Sequence, residues 1–173
     1  MSPTLRRMVA AGAVAVTLLV AGAVTAAATG RLDVSGPLAQ ARHDDGTTQA
    51  ERNARTVVAF YTLAFNQHQP EAAVARFVGP VYIQHNPTVA SGKAAFIQFV
   101  KGLNTQFPQA RIDLRRVVAQ DDLVVTHGRF TISPADRGSA VADIFRLERG
   151  KVVEHWDVIE AIPPTTVSGN PMV

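Results

Sequence analysis

The stretch Val141 to Glu160, VADIFRLERGKVVEHWDVIE, decides the fold. Two apolar runs flank Arg149-Gly150, the pattern of a β-hairpin. Asp143, His155 and Asp157 stand inside it where a plain sandwich strand would carry Val or Thr. The loop suits a three-residue connection of Glu148, Arg149 and Gly150, with Gly150 in the left-handed position. In that register Leu147 faces Lys151, Phe145 faces Val153, and Asp143 faces His155; a two-residue loop would set Asp143 opposite Trp156 instead. Side chains two apart share a face, so Val141, Asp143, Phe145, Val153, His155 and Asp157 are expected on one side.

Outward from the hairpin, ARIDLRRVVAQ and DLVVTHGRFTI are two more strand-like runs, separated by Asp121-Asp122 and followed by the SPADRG turn. Four strands in succession predict an antiparallel meander. Before Pro108 the period is helical. QAERNARTVVAFYTLAFNQ spaces Ala54, Val57, Val58, Tyr61, Ala64 and Phe65 along one face. QPEAAVARFV starts with Pro70 at a first helical position and Glu71 behind it. SGKAAFIQFVKGLNTQFP aligns Phe96, Phe99, Val100 and Leu103, with Ser91 as the expected N-cap. Helices first and strands afterwards give an α+β order, helices covering one face of a curved sheet. The strands are apolar on both faces, which calls for a partner subunit or an enclosed cavity beyond the helix layer.

The N-terminus reads as an export signal: basic Arg6 and Arg7, an apolar run from Met8 to Val24, and Ala26-Ala27-Ala28 as an A-x-A exit before Thr29. The expected organisation is therefore a signal peptide over 1–28, a flexible tether over 29–48 and one domain over 49–173, with the product exported to the periplasm or medium. An uncleaved anchor over 8–28 is the alternative and the one expected route to a membrane. Without Arg6 and Arg7, Lys plus Arg falls from 17 to 15 against 14 acids, so the mature charge is near neutral. Arg115-Arg116 is the one adjacent basic pair there, and nucleic acid is not an expected partner. Cysteine is absent, which removes disulfides, thiolate metal sites and a Cys nucleophile.

VYIQHNP, ahead of the third helix, gathers Tyr82, Gln84, His85 and Asn86, with Pro87 forcing Asn86 toward an extended conformation. It reads either as a helix-to-helix loop satisfying its own backbone or as part of a pocket. Asp143 and His155 likewise read either as a pair that fixes strand register or as acid and base groups lining a pocket walled by Trp156 and phenylalanines. His127 is expected on the surface or satisfied within the sheet, and His43 and His68 in solvated loops. His85, His127, His155, Asp143 and Asp157 could in principle ligate a metal, but H-x-H, H-x-x-x-H and H-E-x-x-H are all missing and no metal is expected. Phosphate loops and G-x-S-x-G elbows are missing too.

YIQHNP, the GKAAFIQF helix, DIFRLERGKVVEHWDVIE and the NPMV ending together resemble the SnoaL-like polyketide cyclases of the nuclear transport factor 2-like superfamily, in particular small bacterial proteins labelled as aldol-condensation enzymes. The resemblance runs from Gln49 to Val173. It implies a conical α+β barrel, a strongly bent antiparallel (mixed) sheet wrapped around three N-terminal helices, and commonly a homodimer through the sheet. It also implies ring closure by intramolecular aldol condensation with an Asp as general acid/base and no cofactor. The matching position is Asp143, or Asp157 if the register shifts. On this reading Asp143 takes a proton α to a carbonyl of a small apolar or aromatic ligand and His155 orients or balances it. His85 with Tyr82 or Asn86 donates to the enolate oxygen, and Tyr61, Phe99, Trp156 and Asp157 line the site. An exported binding protein using the same cone without chemistry is the alternative.

Overall fold

The structure, a computed structural model, describes residues 47–173; the expected signal peptide and all but the end of the expected tether lie outside them. Helix α1 spans Gln49–Tyr61 and starts at a capping box, in which Glu51 N–H donates to Thr48 Oγ1 and Thr48 N–H donates to Glu51 Oε2. It runs directly into a π-helical turn, Thr62–Asn66. Helix α2 covers Pro70–Phe77, with Pro70 at its start as expected, and α3 covers Lys93–Gln106. Gly92, not Ser91, is the N-cap of α3. The Ser91 hydroxyl is instead engaged with strand β1, accepting from Gln84 N–H at 3.0 Å.

Five strands form one sheet in the order β1-β5-β4-β3-β2: β1 Val78–Gln84, β2 Arg111–Gln120, β3 Leu123–Thr131, β4 Ser139–Glu148 and β5 Lys151–Ala161. The expected meander is β2 to β5, antiparallel throughout. The sheet is mixed because β1 pairs parallel to β5, and it is curled but not closed, with β1 and β2 as edges. Strand β1 is an addition to the reading of VYIQHNP as a loop. Pro80 cannot donate to a ladder and argues against an interior strand, but at an edge it is tolerated. Its register with β5 is irregular between Val78 and Ile83.

The hairpin register differs from the expected one in a way that preserves its faces. Glu148 pairs with Lys151, so the loop is the two residues Arg149 and Gly150, with φ of 50° and 73°. Both left-handed values mark the turn whose twist matches antiparallel strands. A bulge then follows, the pairing passing from Leu147–Val152 to Arg146–Glu154, which leaves Val153 as the extra residue. The shorter loop and the bulge together bring Phe145 opposite His155 and Asp143 opposite Asp157. The net slip from the expected pairing is two residues, so Asp143, Phe145, His155 and Asp157 still share one face.

That face is the inner one. Val57, Phe60, Tyr61, Ala64 and Phe65 from α1 and the turn, and Phe96, Val100 and Leu103 from α3, pack on Val124, Val141, Phe145, Leu147 and Val152. Phe60 bridges the layers, 5.1 Å from Phe96 and 6.4 Å from Phe145 between ring centroids. Each such side chain, fully buried, contributes about 1.5–3 kcal/mol. Val58, expected inward, is exposed on the outer side of α1, and buried Asn53 takes an inward place instead, donating to Asp121 O in the β2–β3 turn. Asn66 ties the end of the π turn to β2 by donating to Ile112 O and accepting from Ile112 N–H, both at 2.9 Å.

Candidate active site

Two rows of inward side chains cross the sheet next to each other. One runs Thr126, Asp143, Asp157 over β3, β4 and β5, and the next runs Val124, Phe145, His155, Gln84 over β3, β4, β5 and β1. Residues adjacent in these rows are close enough to touch, and a helix supplies the final member. Tyr61, at the end of α1, donates its hydroxyl proton to Asp143 Oδ1 at 2.8 Å and lies 3.0 Å from His155 Nε2. His155 Nε2 is itself 3.2 Å from Asp143 Oδ1, and Thr126 Oγ1 donates to Asp143 Oδ2 at 3.0 Å. Asp143 and His155 are each 4% exposed. Phe145, 4.7 Å from the His155 ring, and Phe65, 5.1 Å from Tyr61, supply apolar walls.

The other side of the cluster comes from the end of β1. Gln84 Oε1 lies 2.9 Å from His155 Nδ1 and accepts from Asn86 N–H at 3.0 Å. The Asn86 amide donates to both oxygens of Asp157, at 2.9 and 2.7 Å, while its own oxygen accepts from Thr88. Pro87 keeps this segment extended, so Gln84 and Asn86, two apart, both reach inward. Asp157, Asn86 and Gln84 are half-buried and Asp143, His155, Tyr61 and Thr126 are buried. The site therefore deepens from Asp157 toward Asp143.

Burial pushes both phenols up: Tyr61 first by desolvation and then by the Asp143 charge, Tyr82 by desolvation and then by Asp143 and Asp157. They stay protonated donors at any physiological pH. The inner face carries no Lys or Arg among the described residues; Arg116 is turned to His127, Arg129 to the carbonyls of Asp136 and Arg137, and Arg146 to Glu148 and Glu154. Ligand atoms of Asp143, His155 and Asp157 lie within 4.8 Å of one another, so this is the one set of residues described that could hold a metal ion.

The profile of the SnoaL-like domain matches residues 57–155, more than half of the chain. The chain belongs to the SnoaL-like family. Among solved structures this SnoaL-like domain is similar to a candidate polyketide cyclase from Acidithiobacillus ferrooxidans, with 18% identity and a TM-score of 0.55 over 66% of this chain and 92% of that one. A candidate polyketide cyclase from Bacillus cereus gives 16%, 0.55, 64% and 75%. A nuclear transport factor 2-like protein of unknown function from Mesorhizobium loti gives 21%, 0.54, 65% and 93%. At these identities the likeness is one of fold. No curated protein matches the sequence.

Within the SnoaL-like fold the residues singled out by sequence divide sharply. Asp143, His155, Asp157, Tyr61 and Asn86 come together, and Tyr82 is buried beside them, its ring stacked at 6.5 Å from His155. His85 and Trp156 do not join them. Trp156 alternates with His155 and Asp157 and so faces the convex side, where the His85 ring stacks on it at 4.6 Å and His85 Nε2 pairs with Glu154 at 2.9 Å. The cause is the parity of β1, which turns His85 away as it turns Gln84 and Asn86 inward. Phe99 packs half-buried against the core from α3 and, among the described residues, has no ring contact with the cluster. Sequence reasoning left out Thr126 and undervalued Gln84. A Thr after two valines in LVVTHGRF is ordinary strand composition, and only the pairing of Thr126 with Asp143 gives its hydroxyl a purpose.

Proposed function

We propose that the chain is a cofactor-independent enzyme of cyclase or isomerase type, acting by general acid/base chemistry on a small apolar carbonyl compound. The observation that carries this is Asp143, a carboxylate 4% exposed, set among aromatic rings and within hydrogen-bond reach of His155 and Tyr61. A buried base beside a second titratable group is the arrangement that proton abstraction next to a carbonyl requires. In this reading Asp143 Oδ1 takes the α-proton, His155 takes it on, and Tyr82 is the donor to the enolate oxygen, without the His85 first paired with it in that role.

Asp143→Asn tests it. The variant keeps shape and hydrogen bonding, and the exchange of α-protons for deuterium in an aryl ketone should fall by roughly 10²–10⁴-fold while the fold persists. A folded variant with undiminished exchange would sink the catalytic role. The alternative, a binding protein using the same pocket, is favoured by the complete satisfaction of Asp143, which accepts from Tyr61 and Thr126 and contacts His155. It predicts ligand retention with no exchange in the native chain. Export through the N-terminal signal, with a mature chain starting near Thr29, belongs to the same proposal and is checked by the N-terminal residue of the secreted protein.

Self-association through the convex face is a further part of this reading. Val118, Val125, Ile144 and Trp156 form a row across four strands, and Val118 and Val158 are 66% and 71% exposed. No helix among the described residues covers that side.

A further inference from the structure

Gln84 is an inward polar side chain of the cluster whose orientation is dictated by a backbone group. The N–H of Asn86 can only donate, and it points at Gln84 Oε1 from 3.0 Å. Flipping the amide would set its NH₂ against that N–H, donor against donor. The unflipped amide also directs Nε2 toward Tyr82 Oη, at 3.5 Å. Gln84 therefore presents an acceptor, and the atom facing it at 2.9 Å is His155 Nδ1. Two acceptors cannot bond, so Nδ1 must carry a proton.

We propose that Gln84 is a positioning residue of the site: it pins a proton on His155 Nδ1, so that the imidazole exchanges protons only at Nε2, the atom facing Tyr61 and Asp143. This rests on the acid/base reading of the pocket and adds a direction to it. A lone imidazole beside a carboxylate would place its single proton toward the carboxylate, at Nε2. Gln84 competes for that proton from the other side of the ring. With Nδ1 occupied, the ring gains and loses its exchangeable proton at Nε2, the atom beside Tyr61 Oη and Asp143 Oδ1.

The relay then balances. The C–H electron pair stays with the substrate as the enolate while the proton goes to Asp143 Oδ1, 3.2 Å from Nε2. Passing it to Nε2 restores the carboxylate and leaves an imidazolium whose Nδ1–H remains on Gln84. The enolate carbon bonds to a second carbonyl carbon of the substrate, whose C=O π pair moves to its oxygen, and the Nε2 proton goes to that alkoxide as the product hydroxyl. Without Gln84 the ring would meet Asp143 with Nε2 already protonated and could not accept.

Nitrogen-labelled protein, free of ligand, gives a direct readout, because long-range proton–nitrogen correlations of His155 distinguish a proton-bearing from a bare ring nitrogen. The native chain should show Nδ1 protonated. Gln84→Glu, which keeps an acceptor facing both Asn86 N–H and His155, should retain that pattern. Gln84→Leu should move the proton to Nε2 and slow α-proton exchange about tenfold or more. A bare Nδ1 in the native chain overturns the proposal, and so does a Leu variant that keeps Nδ1 protonated. Should the Leu variant fail to fold, the native and Glu spectra carry the test. Since the spectrum is read without ligand, a failed tautomer assignment and a failed exchange assay are separate results.

Discussion

The two tyrosines of the chain are both in the site, both 4% exposed, and both held as phenols by desolvation and neighbouring carboxylates. This makes alkaline pH a selective perturbation. Below about pH 10 folded and unfolded chains keep the two protons alike, and the tyrosines leave stability unchanged. Above it the unfolded chain releases them while the folded one does not, so the unfolded state binds fewer protons and unfolding becomes easier as pH rises. Each tyrosine lowers the unfolding free energy by about 1.4 kcal/mol per pH unit, and the pair by about 2.7, until the folded phenols ionise in turn. Against a domain stability of about 5–15 kcal/mol, one or two units above that point matter greatly. Urea midpoints measured from about pH 8 to about pH 12 should decline steeply past pH 10, and Tyr82→Phe should halve the tyrosine part of the slope. Ultraviolet absorbance supplies the independent check: phenolate should appear only as the far-ultraviolet dichroism is lost. Phenolate rising near pH 10 in a still-folded chain would refute the reasoning, because it would mean that water reaches both hydroxyls.

Thr126→Val leaves Asp143 Oδ2 without its donor and should destabilise the domain by about 1–3 kcal/mol, with Thr126→Ser recovering most of it in the same denaturation assay. His85→Ala should cost less than about 1 kcal/mol, since its pair with Glu154 is partly exposed, and should leave α-proton exchange within a few fold of native; a hundredfold loss would return His85 to the chemistry. Ile144→Lys on the convex face should convert a self-associating chain to monomer by sedimentation while leaving exchange intact, and a native chain that is monomeric at micromolar concentration would remove the proposed interface.

The meander and the helices could be read because each is written in a short-range pattern: period two in LVVTHGRF and VVEHWDVIE, and helical spacing from Val57 to Phe65. The inward set of the hairpin was readable even though its register was not, since a loop shorter by one residue and a bulge at Val153 changed the pairing by an even number. What stayed hidden depends on long-range parity. Whether His85 or its neighbours Gln84 and Asn86 face the site is settled by β1 joining β5 in parallel, across some seventy residues of chain, and VGPVYIQ carries a proline that argues against any strand there. His85 and Trp156 were attractive as site residues for their chemistry. Their place on the convex side follows from alternation alone, once β1 is known to be a strand.

The π-helical turn at the end of α1 acts as a ruler between two fixed points. At one end the Tyr61 hydroxyl is held by Asp143, and at the other the Asn66 amide grips both backbone groups of Ile112. A π turn takes more residues to advance than an α turn does. The segment Thr62–Asn66 thus carries slack that it could shed by tightening to an α-helix, but only by pulling one anchor from its socket. Its length is set by where its ends are held, and a one-residue deletion within it would be felt at the Tyr61–Asp143 contact.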